Sequence, residues 1–253
     1  MKPPAARIAV AALIIWLPYI ASTGLQERFA GGGMAGNLLM LLAFLMVWPA
    51  ARLIGRRDPF ALSFDRRVLL VFALAVAAGF AIQCAHWIAG QRLGVLSLAP
   101  PAAGGLPLDV VAMMVLTTFI PSITEDVLTR GFPLFASPPR GWPAAGFIGF
   151  SAALYTLNNL WRFDWGWQEQ ARLFAMGLAF AAAALRFRSL WAAVGLHWGG
   201  NLIASLAPLG EVTAVDVARD RLLSAALYFV VAVALAASMR VARQASREAQ
   251  AVG

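Results

Sequence analysis

Eight apolar runs restrict this chain more than any other feature, because each is close to the roughly 20 residues that carry a helix across a bilayer. They cover about residues 8–22, 37–54, 68–89, 110–135, 143–160, 171–185, 190–207 and 222–239. Inside lipid every backbone N–H and C=O needs an internal partner, so only helices and closed barrels span. Barrel strands alternate in short segments, whereas these runs are nearly continuous. The expected fold is therefore all-α: a polytopic membrane bundle of about eight transmembrane helices, built as one integral-membrane domain over residues 1–253. Pro49 falls within the second run and predicts a kink there. Composition agrees, with 61% hydrophobic and 13% charged residues, where soluble proteins carry roughly 25% charged.

The net charge of +8 comes from 19 arginines and one lysine. They sort by loop. Lys2 and Arg7 precede the first run, Arg52, Arg56, Arg57, Arg66 and Arg67 crowd the second connection, and Arg130 and Arg140 stand at and beyond the end of the fourth run. Arg186 and Arg188 follow the sixth, and Arg240, Arg243 and Arg247 the eighth. Eight spans put all of these on one side, opposite Glu27, Asp109, Asp164, Glu169, Glu211, Asp216 and Asp220. The positive-inside rule then makes both termini cytoplasmic. The basic character thus reports topology and lipid contact, and no nucleic-acid partner is expected. The first run could pass for a signal peptide, with Ala21, Ser22 and Thr23 as small residues, but a retained span is the expectation. Trp161, Trp165 and Trp167 read as interfacial anchors.

Cys84 is the only cysteine, so no internal disulfide forms. Two histidines, His86 and His197, are too few for a typical zinc site, and no H-E-x-x-H occurs. No metal or cofactor is expected. Gly31-Gly32-Gly33 and Gly104-Gly105 lack the G-K-[ST] of a phosphate loop.

Chemistry concentrates in three places. Glu125, Asp126 and Arg130 lie within the fourth apolar run, where charge costs several kcal/mol or is relieved by a partner. Asp126 and Arg130 are four apart and share a helix face, so they can neutralise each other. Glu125 points about 100° away and is left unpaired, as a base toward water needs to be. Arg130 by itself fits a structural ion pair near the inner boundary. His197 and Asn201 are also four apart; two donors on one face can serve an oxyanion, or simply bond to neighbouring helices. The glycines between them let another backbone approach. Asn158 and Asn159 end the fifth run, where one of them can cap the helix. His86 and Cys84 point apart and read as packing or interhelical bonding.

Together these segments resemble the CAAX protease and bacteriocin-processing (CPBP, or Abi) family of intramembrane endopeptidases, which carries E-E-x-x-x-R, then F-x-x-x-H, then H-x-x-x-N/D. Here they stand as Glu125-Asp126-x-x-x-Arg130, Tyr155-x-x-x-Asn159 and His197-x-x-x-Asn201. The likeness covers about residues 120–206. It implies that Glu125 activates a water, that His197 and Asn201 stabilise the oxyanion, and that Asp126 and Arg130 support the site. A membrane-associated peptide or protein is the implied substrate, prenylated or not.

Two positions depart from the pattern. Asp126 replaces a glutamate and keeps the acid. Asn159 replaces the second-motif histidine, and an amide can orient a water but cannot accept its proton. That substitution keeps open a non-catalytic relative acting as a membrane scaffold, peptide-binding or immunity protein. A transporter would need paired repeats or broken helices in corresponding halves, and none is evident. Span counting also puts Asn159 near the outer end of its helix and His197 in the cytoplasmic half of its own. Convergence therefore requires the fifth helix to be tilted or broken, or its ends to differ from those read.

Overall fold

The computed structural model describes residues 4–29, 33–60, 62–99, 107–135, 143–206 and 212–252, with side chains to residue 241. Lys2, Gly31, Gly32, Gly104, Gly105, Arg140 and Glu211 lie outside the described residues, as do the side chains of Arg243 and Arg247. The described chain is almost wholly helical. In order come α1 (Ala5–Arg28), α2 (Gly33–Leu45), α3 (Val47–Leu53), α4 (Arg66–Arg92), β1 (Leu96–Leu98) and α5 (Leu108–Asp126). A π-helical turn (Val127–Gly131) leads into α6 (Phe132–Phe135), then α7 (Ala144–Asn158) and a 3-10 segment (Leu160–Trp165). The chain closes with α8 (Trp167–Phe187), α9 (Leu190–Ser205), β2 (Val212–Ala214) and α10 (Val217–Val252).

The described part of each of the eight apolar runs is thus mainly helical. Among the described residues, five segments are long and apolar enough to cross a membrane: Ala5–Arg28, Gly33–Leu53, Arg66–Arg92, Leu108–Phe135 and Val217–Val241. This is an all-α integral membrane protein. The helices α7 and α9, with 15 and 16 residues, are shorter than a full span.

Local signals explain the boundaries. α1, α5 and α7 each start directly after a proline (Pro4, Pro107, Pro143) with φ near −60° and an extended ψ. The fixed proline φ already suits a helix start, and no backbone N–H is wasted there. Asp65 caps α4 by accepting from the Val68 N–H at 2.8 Å. The second run breaks at Met46, between α2 and α3. Pro49 lacks the N–H that would bind the Leu45 carbonyl, so the expected kink appears one turn before it.

Leucines and isoleucines on α4, such as Leu69, Leu70, Leu74 and Ile88, face outward and suit lipid contact. The buried side of α4 runs along α9 through glycines. A Cβ on Gly199 would stand 2.3 Å from the Val76 carbonyl oxygen, and one on Gly79 would stand 2.4 Å from the Leu196 carbonyl oxygen. Only glycine permits that approach, as the sequence between His197 and Asn201 suggests. One hydrophobic cluster joins α1, α2 and α3 to the π turn and α9. A second joins α7, α8, α9 and α10. His86 Nε2 lies 2.9 Å from Asp220 Oδ1 across α4 and α10, an interhelical contact without hydrogen-bond geometry. A two-stranded antiparallel sheet, with Ser97 opposite Thr213, ties the chain after α4 to the chain before α10.

Candidate active site

The fourth apolar run supplies the charged residues through an altered helix. Pro133 in a regular α-helix would crowd the Thr129 carbonyl. The turn before it instead opens into π geometry over Val127–Gly131, with the Phe132 N–H reaching back to the Val127 carbonyl. Such widened turns recur at functional sites. Gly131 lets the Phe60 carbonyl approach, since a Cβ there would stand 2.8 Å from it.

Asp126 and Arg130 form the expected i,i+4 ion pair, and both are fully buried. Arg130 Nη1 also donates to Thr129 Oγ1 at 2.8 Å, while Nε and Nη2 have no hydrogen-bond partner among the described residues. The rings of Tyr155 and Phe180 cover the guanidinium, with centroids 5.0 and 5.1 Å away. Cation–π attraction is worth about 2 kcal/mol or more when desolvated, which offsets part of the burial cost.

Glu125 differs from the sequence expectation, which left it unpaired. Its Oε1 accepts from the Tyr19 hydroxyl at 2.6 Å and from Asn159 Nδ2 at 3.0 Å. Its Oε2 lies 3.7 Å from His197 Nε2. The other imidazole nitrogen, Nδ1, lies 3.2 Å from Asp126 Oδ2. His197 thus bridges the two acids, stacks on Phe180 with centroids 4.7 Å apart, and has the Tyr155 hydroxyl 3.4 Å from Nε2. Asn201 Nδ2 donates to Ser122 Oγ at 3.1 Å, which leaves the second amide hydrogen for the cavity.

Asn159 reaches Glu125 because α7 is short. Its 15 residues rise about 22 Å, and the chain then turns into the 3-10 segment at Asn159 itself. Asn159 Nδ2 also donates to the Tyr155 carbonyl at 2.9 Å, which fixes its side chain. The neighbouring amide, Asn158, accepts from the Trp16 indole at 3.0 Å. The apparent mismatch in depth between Asn159 and His197 disappears with the helix end.

Glu125, Asn159, His197 and Asn201 line one cavity of about 160 Å³, together with Tyr19, Tyr155 and Arg172. Asp126 and Arg130 sit behind its wall. Two further features escaped sequence reading. Tyr19 comes from α1, far from any motif; its only signal was a tyrosine in an apolar run, whose hydroxyl needs a partner. Glu169, which read as an outer-loop acid, is fully buried in the first turn of α8 and paired with Arg172 at 2.5 and 2.9 Å. Burial pushes the Glu169 carboxyl up, but the hydrogen bond and charge of Arg172, with Arg162 and Arg221, hold it below the ordinary glutamate value. Trp161 also does more than anchor: its indole donates to the Ile20 carbonyl at 3.0 Å and fastens the 3-10 segment to α1.

The fold and site define a class: a helical integral membrane protein with a buried acid–imidazole–amide cluster. Residues 107–203 match the family described as Type II CAAX prenyl endopeptidase Rce1-like. The match runs from the start of α5 to near the end of α9 and includes all three motifs. No curated protein matches the chain. The described residues contain no group of three or more His, Cys, Asp or Glu able to hold a metal ion.

Proposed function

We propose that this protein is an intramembrane endopeptidase in which Glu125 activates water. The observation that carries the reading is the single cavity shared by Glu125, Asn159, His197 and Asn201. Glu125 takes a proton from a water held at Oε2, the oxygen that Asn159 and Tyr19 leave free, and the water oxygen attacks the peptide carbonyl carbon. Negative charge develops on the carbonyl oxygen, where the His197 Nε2 side and the free Asn201 amide hydrogen receive it. The C–N bond then breaks as Glu125 returns the proton to the leaving amine, giving a carboxylate and an amine. Asp126 and Arg130 do no bond chemistry; they fix the imidazole through Nδ1 and keep the buried charge balanced. Asn159 and Tyr19 hold Oε1 of Glu125, which leaves Oε2 toward the cavity.

The whole chain forms one eight-pass domain on this reading, with α7 completed by its 3-10 extension. Both termini face the cytoplasm of a bacterial inner membrane, as the arginine distribution supports. A membrane-associated peptide or protein is the substrate. The test is peptide release by purified protein in proteoliposomes, with Glu125→Gln beside it. Release by the native protein and its loss in Glu125→Gln are expected. A rate unchanged by that substitution, with the variant folded, would remove Glu125 as the base, and no release by the folded native protein would sink the protease reading in favour of a non-catalytic binding protein.

A further inference from the structure

An apolar groove on the outside of the bundle shares no lining residue with the reactive cavity. It holds about 400 Å³ among α4, α8, α9 and α10, within the roughly 300–1,000 Å³ typical of small-molecule sites. On α4 its wall runs from Val71 through Ala75 and Ala78 to Ile82, at three- and four-residue spacing along one face. The alanines there, with Ala183 and Ala192 opposite, leave space that larger side chains would fill. From Val71 to Ile82 the helix rises about 16 Å. The hydrocarbon core is about 30 Å thick, so the groove is about as deep as one leaflet. Leu74 and Phe187 on its rim are exposed, which opens it to the surrounding acyl chains.

One end of the groove is basic. Arg67 stands one turn before Val71, Arg186 directly before Phe187, and Ser238 one turn after Leu235, the lining residue of α10 nearest that end. Arg186 Nε donates to Ser238 Oγ at 2.8 Å, and its guanidinium lies 5.7 Å from the centroid of the Phe187 ring. These contacts hold the side chain between α8 and α10, and neither Nη has a hydrogen-bond partner among the described residues. Arg188 and Arg240 are exposed at the same end. None of these four arginines forms an ion pair among the described residues. At the opposite end Arg28 pairs with Asp164, Arg162 with Glu27, Arg172 and Arg221 with Glu169, and Arg219 with Asp216; of the described arginines there, only Arg92 does not pair. The acids described at the basic end are Asp58 and Asp65. Asp65 caps α4, and neither forms an ion pair. Arg66 brings the arginines around the groove mouth to five, so positive charge exceeds those two acids by three.

We infer that this groove is a binding site for one anionic phospholipid. An acyl chain lies along α4 between Val71 and Ile82, and the headgroup phosphate sits at Arg186. A guanidinium with its two Nη groups free presents the fork that phosphate oxygens accept. The apolar length places the chain, and the unpaired arginines select the headgroup: a zwitterionic lipid offers the same phosphate but carries its own cation, which the basic mouth repels. Basic pockets between membrane helices on the arginine-rich side are suited to anionic headgroups. The site does not depend on the protease reading, since no residue of the reactive cavity takes part in it.

Lipid binding to the purified protein in detergent tests the site. The probes are dioleoyl phosphatidylglycerol, dioleoyl phosphatidylcholine and glycerol phosphate. The readouts are the lipid retained in native mass spectra and the affinity found by titration. One phosphatidylglycerol should be retained per protein and should bind about 10–100-fold tighter than phosphatidylcholine. Arg186→Gln should reduce that ratio about tenfold, whereas Arg7→Gln, on α1 and outside the groove, should keep it. Ala78→Phe fills the groove from an exposed position and should release either lipid. Glycerol phosphate, which has no chains, should not compete. Equal affinity for the two lipids, a ratio unchanged by Arg186→Gln, or an equal loss in Arg7→Gln overturns the site. Lipid still held by Ala78→Phe, or displaced by glycerol phosphate, overturns it as well. Should Arg186→Gln fail to fold, the lipid comparison on the native protein and on Ala78→Phe decides.

Discussion

Replacing Asn159 with histidine should speed peptide hydrolysis. The amide lies 3.0 Å from Glu125 Oε1, so a side chain at this position already meets the reactive carboxylate. As an amide it can hold that carboxylate or a water, but it has no site basic enough to take a proton. An imidazole there donates to Glu125 through one nitrogen and presents the other as an acceptor. A positioned general base contributes about 10²–10⁴-fold. The change also gives up the Nδ2 bond to the Tyr155 carbonyl, worth about 0.5–1.5 kcal/mol, or up to roughly tenfold. The net expectation is a gain of about 10–10³-fold in kcat. The assay follows initial rates on a quenched peptide for four proteins: native, Asn159→His, Glu125→Gln and the double variant. The gain must vanish in the Glu125→Gln background, because the imidazole is proposed to share the work of Glu125 and not to replace it. A folded, inserted Asn159→His protein with no gain would refute the placement of this residue beside the water. A gain that survives in the double variant would refute the role given to Glu125.

Two further expectations concern stability. Gly199→Ala puts a methyl group 2.3 Å from the Val76 carbonyl and forces α4 and α9 apart, which should cost about 1–3 kcal/mol or more; Gly149→Ala, whose Cβ meets nothing within 4 Å, is the control, and thermal unfolding in detergent should lower Tm for the first alone. Glu169 has a folded-state pKa below its ordinary value of 4.5, so its ionised form stabilises the fold above that pH, and the contribution is lost as pH falls through the depressed value. Melting temperature should thus fall on acidification below about pH 4.5, and Glu169→Gln should be less stable at neutral pH with a shallower acid limb; an acid limb unchanged by the substitution would remove Glu169 from the account.

Much of the fold was legible because hydrophobic length and proline are local signals. The described part of every apolar run became mainly helical, and Pro49 broke the second where its missing N–H required. Helix ends were less legible, and the end that matters most is that of α7. Its apolar pattern continues to Leu160, yet the helix stops at Asn158. The stop is a tertiary event: the Asn159 side chain bonds to Glu125 and to the Tyr155 carbonyl, and Trp161 bonds to α1. No periodicity over 143–160 encodes partners on α1 and α5. For the same reason membrane passage follows from composition for five segments but not for the short helices, whose ends depend on packing.

The site residues were legible wherever the contact is four residues long, as with Asp126 and Arg130. Considering that helix alone produced the error at Glu125. A buried carboxylate without a partner is too costly to persist, so the correct inference from an unpaired Glu125 was a missing donor elsewhere in the bundle. The candidates were few: the chain has three tyrosines, and a tyrosine in the apolar first run must satisfy its hydroxyl. Tyr19 meets both needs at 2.6 Å. The same accounting applies to Glu169, an acid in a loop by sequence and a shared anchor for three arginines in the fold. Buried charge in a membrane protein therefore calls for a search of the whole chain for its complement. In this chain that search leads outward from Glu125 to Tyr19, and outward from Glu169 to Arg162, Arg172 and Arg221.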